Sequence, residues 1–280
     1  MDAITRALVD LALQEDLGTG DVTSALLPPT LRGAAQLVAK GPLVVSGLEV
    51  FAHVFARISP AIRVAPQVEE GAAVEKGAVV AAVEGPMARI LEGERTALNF
   101  VQRLSGVASL TRRCVEALGD TKTRLVDTRK TTPGFRVLEK AAVRHGGGSN
   151  HRFGLFDGVL VKDNHVDAQG GIRPALEAAR RVAHHLVKIE CEVRSLAELD
   201  EALDAGADVV LLDNMDDDTI RAAVARARAH PRPVLLEASG NVSLERLPTL
   251  GALGVDLVSM GALTHSAPAA DLSLVHRGAS

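Results

Sequence analysis

Beyond Thr123 the apolar positions fall into short runs, and each run closes near a polar or charged residue. The runs are Thr123–Asp127, Gly158–Lys162, Leu186–Val193, Val209–Asp213, Val234–Glu237 and Leu257–Met260. Between most of them lie stretches with apolar residues at helical spacing: Phe135–Arg144, Pro174–Ala183, Leu196–Ala205, Thr219–Ala229 and Leu244–Leu250. Continuous apolar runs mark strands buried on both faces, and their alternation with helices predicts βαβ units and a parallel sheet. Polar residues end nearly every strand. That favours a barrel, whose strand ends share one mouth, over an open sheet, where ligand contacts gather at a switch point.

The first hundred residues have another rhythm. MDAITRALVDLALQED patterns as an acidic amphipathic helix, and Glu15–Ser24 is a loop rich in turn formers. Ala34–Ala39 and Leu43–Ser46 read as strands and Leu48–Ile58 as a helix. From Arg63 to Leu91, Gly71, Gly77 and Gly85–Pro86 punctuate valine-rich runs, which predicts antiparallel strands joined by turns. Glu92–Leu118 then reads as one long helix carrying Leu98, Val101, Leu104, Ala108, Val115 and Leu118. The fold class expected is α/β.

Composition narrows the function classes. A formal net charge of −4 argues against general attraction to nucleic acid, and with no Trp, no Tyr and six Phe there is little for bases to stack on. The N-terminal helix lacks the pattern of a signal peptide, and no apolar run reaches the ~18 residues of a membrane span. Cys114 and Cys191 stand far apart with no CxxC pattern. They read as small core residues, which fits a cytoplasmic protein.

Within this acidic chain Asp127–His165 carries seven Lys/Arg against four Asp/Glu. Arg129, Lys130 and Lys162 sit at the ends of apolar runs, where an unpaired charge is costly; each needs an internal carboxylate or an anionic ligand. The remaining strand ends supply Glu190 and Glu192, Asp213 and Asn214, Glu237 with Ser239, Gly240 and Asn241, then Ser259 and Gly261. Cations can clamp carboxylates, the acidic residues can hold magnesium or sugar hydroxyls, and the Ser239–Asn241 turn can offer backbone N–H groups to phosphate. The bland reading is a rim of ion pairs, with Arg129 on Asp127 and Lys162 on Asp163 or Glu192. Six strand ends of this kind outweigh it. Gly146–Gly148 fits neither GxGxxG nor GxxxxGK[ST] and reads as a flexible loop, while the adjoining His151 and Arg152 precede a buried strand.

These residues resemble the type II quinolinate phosphoribosyltransferases. The matching motifs are EDLGTGDVT at Glu15, ERTALNFVQRLSG at Glu94, DTRKTTPGFR at Asp127, GGGSNHR at Gly146, VKDNH at Val161, ECEV at Glu190, LLDNM at Leu211, EASGN at Glu237 and SMGALTHSAP at Ser259. Phe135 and Ala141 depart from the family pattern, where Leu and Tyr are expected, without touching a charge.

The resemblance implies an N-terminal α/β sandwich domain over residues 1–105, joined by the returning residues 267–280, and an incomplete α/β barrel over 106–266. It implies phosphoribosyl transfer from phosphoribosyl pyrophosphate to quinolinate with decarboxylation, giving nicotinate mononucleotide, pyrophosphate and carbon dioxide in NAD biosynthesis. It also implies a homodimer with shared active sites, open to higher assembly, in which one N-terminal domain caps the partner's barrel. Quinolinate would meet Arg129, His151, Arg152 and Lys162, with Arg95 from the neighbouring subunit. Phosphoribosyl pyrophosphate and Mg2+ would meet Lys130, Glu192, Asp213, Ser239, Gly240, Gly261 and His265, with Thr128, Asn241 and Met260 beside them. Glu192 and Asp213 are the expected metal ligands, directly or through water. Lys130, Lys162, Glu192 and Asp213 are the expected catalytic residues, Lys162 being a guess for the group that protonates the ring. Two rivals remain open: a related phosphoribosyltransferase for another acidic heterocycle, and a catalytically silent phosphosugar binder. Five cations favour a diacid, and the Glu192–Asp213 pair speaks against a silent binder.

Overall fold

A computed structural model describes residues 1–277. Its elements, in chain order, are α1 (Ala3–Leu17), β1 (Arg32–Ala39), β2 (Leu43–Val44), α2 (Leu48–Ile58), β3 (Arg63–Pro66), β4 (Ala73–Val74), β5 (Val79–Pro86), α3 (Met87–Leu118), β6 (Arg124–Val126) and α4 (Arg136–His145). They continue with β7 (Val159–Val161), α5 (Asp163–Gln169), α6 (Ile172–Val182), β8 (Ile189–Val193), α7 (Leu196–Asp204), β9 (Val209–Asp213), α8 (Asp217–Ala229), β10 (Leu235–Ser239), α9 (Leu247–Leu253), β11 (Leu257–Ser259), α10 (Ala262–His265) and β12 (Leu272–Arg277). The contacts separate two compact units. One comprises residues 1–112, 131–147 and the segment starting at Ala262; the other comprises 113–130 and 148–261. No helix among the described residues is long and apolar enough to cross a membrane.

The first unit is built on an antiparallel sheet of order β12–β1–β5–β3. Ala35, Leu37 and Ala39 alternate inward along β1, as a strand with one buried face requires. Strand β12 pairs with β1 from Ala34↔Arg277 to Ala39↔Leu272. Of the expected returning segment, residues 278–280 lie outside the described residues. Helix α2 buries Phe51 and Phe55, whose rings meet edge to face at 5.1 Å. Its first turn is capped by Glu70, which accepts from Gly47 N–H at 2.9 Å and Leu48 N–H at 2.8 Å. A carboxylate there satisfies orphan donors and complements the helix dipole.

The helix expected at Phe135–Arg144 is present as α4, but it is not a crossover helix of the barrel. It clusters with the first unit, and its side chains give the reason. Glu139, fully buried, accepts from Arg103 Nη2 at 2.7 Å and from Thr132 N–H at 3.0 Å, while Phe135 stacks on Phe100 at 5.4 Å. Gly146, closing α4, leaves no room for a side chain against Ala108 and Thr111 of α3. A buried ion pair and a ring stack thus override the strand–helix–strand alternation.

The second unit is a wholly parallel six-stranded sheet of order β6–β11–β10–β9–β8–β7. Strands β7 to β11 follow one another in space as in sequence, and β6 joins beside β11, so the order is circular except for one opening between β6 and β7. That is an incomplete α/β barrel, as expected. At the opening Ser149 bridges Val126, donating its N–H to Leu125 O at 2.8 Å. Helices α5 and α6, α7, α8 and α9 make the successive crossovers. Alternate residues face the helices: Val161, Cys191 and Val193, Val210 and Leu212, Leu236 and Ala238, and Val258 are all buried.

Candidate active site

The opposite alternation fills the barrel interior. Glu190 and Glu192, Leu211 and Asp213, and Glu237 and Ser239 occupy i, i+2 positions, so each pair shares one face of its strand. Register aligns Glu192, Leu211 and Glu237 across β8, β9 and β10, with Asp213 beside Ser239 one step nearer the strand ends. Above them lies a cavity of about 580 Å³, lined by the strand-end residues of β7 to β11, by Thr128, Arg129 and Lys130 after β6, and by His151 and Arg152. Fourteen sequence-expected residues line it: Thr128, Arg129, Lys130, His151, Arg152, Lys162, Glu192, Asp213, Ser239, Gly240 and Asn241 among those expected to bind, and Asn214, Glu237 and Ser259 from the strand-end set.

The buried charge after β6 is Asp127 rather than the cations that follow it; Arg129 and Lys130 are exposed. Asp127 accepts from Asn150 Nδ2 at 2.6 Å and from His151 N–H at 2.9 Å. It therefore fixes the segment carrying His151 and Arg152, and its loss would strand two donors at ~1–3 kcal/mol each. Thr128 Oγ1 accepts from Lys130 N–H at 3.0 Å and shapes the turn presenting that lysine. Arg152 Nη1 donates to Gly158 O at 2.9 Å. Its guanidinium is held below its ordinary pKa, first by burial and then by the charge of Arg129. Both guanidiniums line the cavity, and cations on one wall suit an anionic ligand.

Lys162 Nζ pairs with Glu192 at 2.5 Å, so of its two expected acidic partners Glu192 is the one engaged. The VKDNH motif also has a structural use: His165 Nδ1 accepts from Lys162 N–H at 3.0 Å at the start of α5. At the tip of β10 the backbone turns through φ +85° at Gly240 and φ +48° at Asn241. Helical structure follows this turn from Leu244, where the sequence placed it. A 3-10 turn at Leu244–Arg246 runs directly into α9. The turn is braced by Asn214 across β9, itself at φ +54°, whose N–H donates to Ser239 O at 3.0 Å and whose Oδ1 accepts from Asn241 Nδ2 at 3.0 Å. Successive left-handed residues turn backbone N–H groups to one side, a geometry suited to phosphate oxygens.

Beneath the cavity lies a cluster that the sequence reading named at strand ends but did not select. His151 Nε2 is 3.0 Å from Glu190 Oε2 and 3.6 Å from Glu237 Oε2. Burial first, then the neighbouring Glu190 carboxylate, push Glu237 up to about 7. The signal available was the ECEV and EASGN alternation, which puts a carboxylate one layer below the strand tips.

Other expected residues fall elsewhere. Met260 is buried, its sulfur 3.9 Å from that of Cys114, and its N–H donates to Val126 O at 3.0 Å. Gly261 is the last residue of the second unit. Arg95, exposed on α3, and His265, exposed with Nδ1 2.6 Å from Ser266 Oγ, belong to the first unit. Both cysteines are free and buried, and burial pushes Cys114 up to about 11 and Cys191 up to about 12, so neither is an activated nucleophile.

Residues 21–105 match the family model for the quinolinate phosphoribosyl transferase N-terminal domain, and residues 107–275 match the model for its C-terminal domain. The chain belongs to the quinolinate phosphoribosyl transferase family. Among relatives in this family, a probable nicotinate-nucleotide pyrophosphorylase [carboxylating] of Bacillus subtilis is 44% identical over 260 residues, covering 93% of this chain and 89% of that protein. The nicotinate-nucleotide pyrophosphorylase [carboxylating] of Homo sapiens is 41% identical over 270 residues, covering 96% and 90%. The solved structure of the nicotinate-nucleotide pyrophosphorylase from Francisella tularensis superposes with a TM-score of 0.92 at 38% identity, covering 98% of this chain and 96% of that one. The family's two domain models and the cationic cavity thus meet in one molecule.

Proposed function

We propose that this chain transfers the phosphoribosyl group of phosphoribosyl pyrophosphate to the ring nitrogen of quinolinate and then releases carbon dioxide, giving nicotinate mononucleotide for NAD biosynthesis in the cytoplasm. The observation that carries the reading is one cavity lined on one side by Arg129, Lys130, Arg152 and Lys162 and on the other by carboxylates and hydroxyls. Arg129, Arg152 and Lys162 grip the two carboxylates of the acid. Both ring nitrogens of His151 face protein atoms, Arg152 N–H at 2.8 Å and Glu190, so this residue contributes to the wall beside the pyridine. Ser239, Gly240 and Asn241 receive phosphate, with Gly261 and His265 at the far end of the sugar substrate and Thr128 and Met260 shaping the pocket.

No protein nucleophile is needed. Reactants held in line, with negative charge on the departing pyrophosphate neutralised, suffice for glycosyl transfer of this kind. Lys130 serves that leaving group. Glu192 and Asp213 offer hard carboxylate oxygens to the cavity, a donor set that fits magnesium, and they would hold it directly or through water. When bound, the ion supplies charge neutralisation to the pyrophosphate. Once alkylated, the ring nitrogen is cationic and stabilises the electron pair left when carbon dioxide departs.

The site is completed by Arg95 of a second subunit in a homodimer, itself open to higher assembly. The functional division follows residues 1–105 with 267–280 as the capping domain and 106–266 as the barrel. Incubating the protein with quinolinate, phosphoribosyl pyrophosphate and Mg2+ should release pyrophosphate and carbon dioxide in equal amounts. Nicotinate, with one carboxylate fewer to grip, should be a far poorer acceptor. Preference for nicotinate, or turnover of neither acid, would refute the reading.

A further inference from the structure

Asn214 and Asn241 are, among the described residues, the two other than glycine whose backbones take positive φ, at +54° and +48°. Such conformations are uncommon outside glycine and persist only where surrounding contacts hold them. Both lie in one knot at the strand ends. Asp213 stands opposite Ser239 in the register of β9 and β10, Asn214 follows the first, and Gly240 and Asn241 follow the second. The side-chain directions start from Asp213. Carboxylate oxygens accept hydrogen bonds, so the donor end of the Asn214 amide, Nδ2, faces Asp213 Oδ2 at 2.9 Å. Its Oδ1 is thereby turned the other way, where it accepts from Asn241 Nδ2 at 3.0 Å. The Asn214 backbone N–H adds a third bond, to Ser239 O at 3.0 Å.

Packing does not hold this knot. Asn214 and Asn241 are exposed. With Gly240 they line both the main cavity and a second one of about 510 Å³, whose further walls include Asp216, Asp217, Asp218 and Arg246. A turn bordered by two cavities takes its position from its hydrogen bonds. Gly240 contributes by what it lacks, since a Cβ there would occupy the place of the Asn214 amide. One side chain thus touches the carboxylate offered to the metal with one end and the turn offered to phosphate with the other.

We propose that Asn214 is a positioning residue for the sugar substrate: it ties the Asp213 carboxylate to the Ser239–Asn241 turn, so that the turn's N–H groups keep a preset spacing from that carboxylate. This rests on the phosphoribosyl pyrophosphate reading above. A ligand that reaches both groups at once gains fully from both only when their spacing is fixed before it arrives. Quinolinate, gripped by Arg129, Arg152 and Lys162, does not depend on that spacing. Loss of the amide should therefore be felt by one substrate and not by the other.

The test is a split between substrates. Asn214→Gly suits the left-handed backbone and removes only the side chain. Calorimetry without quinolinate should show affinity for phosphoribosyl pyrophosphate lowered by roughly tenfold or more, with and without Mg2+, the scale of a misplaced binding group. In steady state the KM for phosphoribosyl pyrophosphate should rise on the same order, while that for quinolinate changes less than about threefold. A role in stability alone would lower the melting temperature and leave the ratio of the two KM values unchanged; that outcome overturns the proposal. Asn214→Asp, of the same size, replaces the donor to Asp213 by an oxygen and should show the same selective loss, so normal affinity in either variant also overturns it. Combining Asn214→Gly with Asn241→Gly should weaken binding by less than the product of the two single losses, because both break one bond; a full product overturns the coupling. Failure of the phosphoribosyl reading looks different, since the unmodified protein would then bind no phosphoribosyl pyrophosphate at all.

Discussion

Arg152 shows what one side chain is asked to do. It is half-buried, donates to the carbonyl of Gly158 just before β7, and is kept short of its full proton affinity by burial and by Arg129. An anion between the two guanidiniums relieves that repulsion. Arg152→Ala should therefore raise KM for quinolinate by roughly 10–100-fold, the scale of one charge-assisted hydrogen-bonded contact, with a smaller change in KM for phosphoribosyl pyrophosphate. Steady-state kinetics with each substrate varied would check it; an equal effect on both would argue against a quinolinate clamp. The cations were legible in the sequence because charge at the end of an apolar run is conspicuous. The Glu190–Glu237–His151 cluster was only half legible. Its members are separated by whole βαβ units, and only the register across β9 shows that two strands bring them together.

At the scale of elements, the strand-tip turns matter more than the strands. Gly240 sits at φ +85°, and a methyl group there would overlap the Asn214 side chain that braces the turn. Gly240→Ala should cost about 1–3 kcal/mol of stability through backbone strain. It should also raise KM for phosphoribosyl pyrophosphate on the order of tenfold or more, because displaced N–H groups no longer meet phosphate. Thermal melts and substrate-resolved kinetics would measure the two effects, and an unchanged KM would remove the phosphate role. Elements with strong apolar period, such as β8, β9 and α8, were readable to within a few residues. Helix α5 was not, since DNHVDAQ has no apolar stripe and buries no residue. Helix α4 was readable as a helix but not as a member of the first unit, because its partners Arg103 and Phe100 are distant in sequence.

For the whole molecule, the proposed contribution of Arg95 to a second subunit's site is the point to test. It is exposed on α3, and nothing in helical periodicity distinguishes it from a solvated charge; only the family motif ERTALNFVQRLSG marks it. If the site is shared between protomers, Arg95→Ala and Arg129→Ala should each be nearly inactive alone. Mixed under subunit exchange, they should regain activity in roughly a quarter of the sites of an equal mixture, because half the dimers then carry one site with both residues intact. No regain in exchanged dimers would mean that Arg95 acts within its own chain or not at all.

Strand β12, drawn from residues 272–277, lies along the outer edge of β1, which begins at residue 32. During synthesis the earlier strand must therefore wait, with its backbone donors and acceptors open on that side, until residues 272–277 have left the ribosome. An open, half-apolar edge is where neighbouring chains associate wrongly. The translation of some 240 residues is thus an interval of exposure built into this topology, ended only when β12 arrives to close the seam.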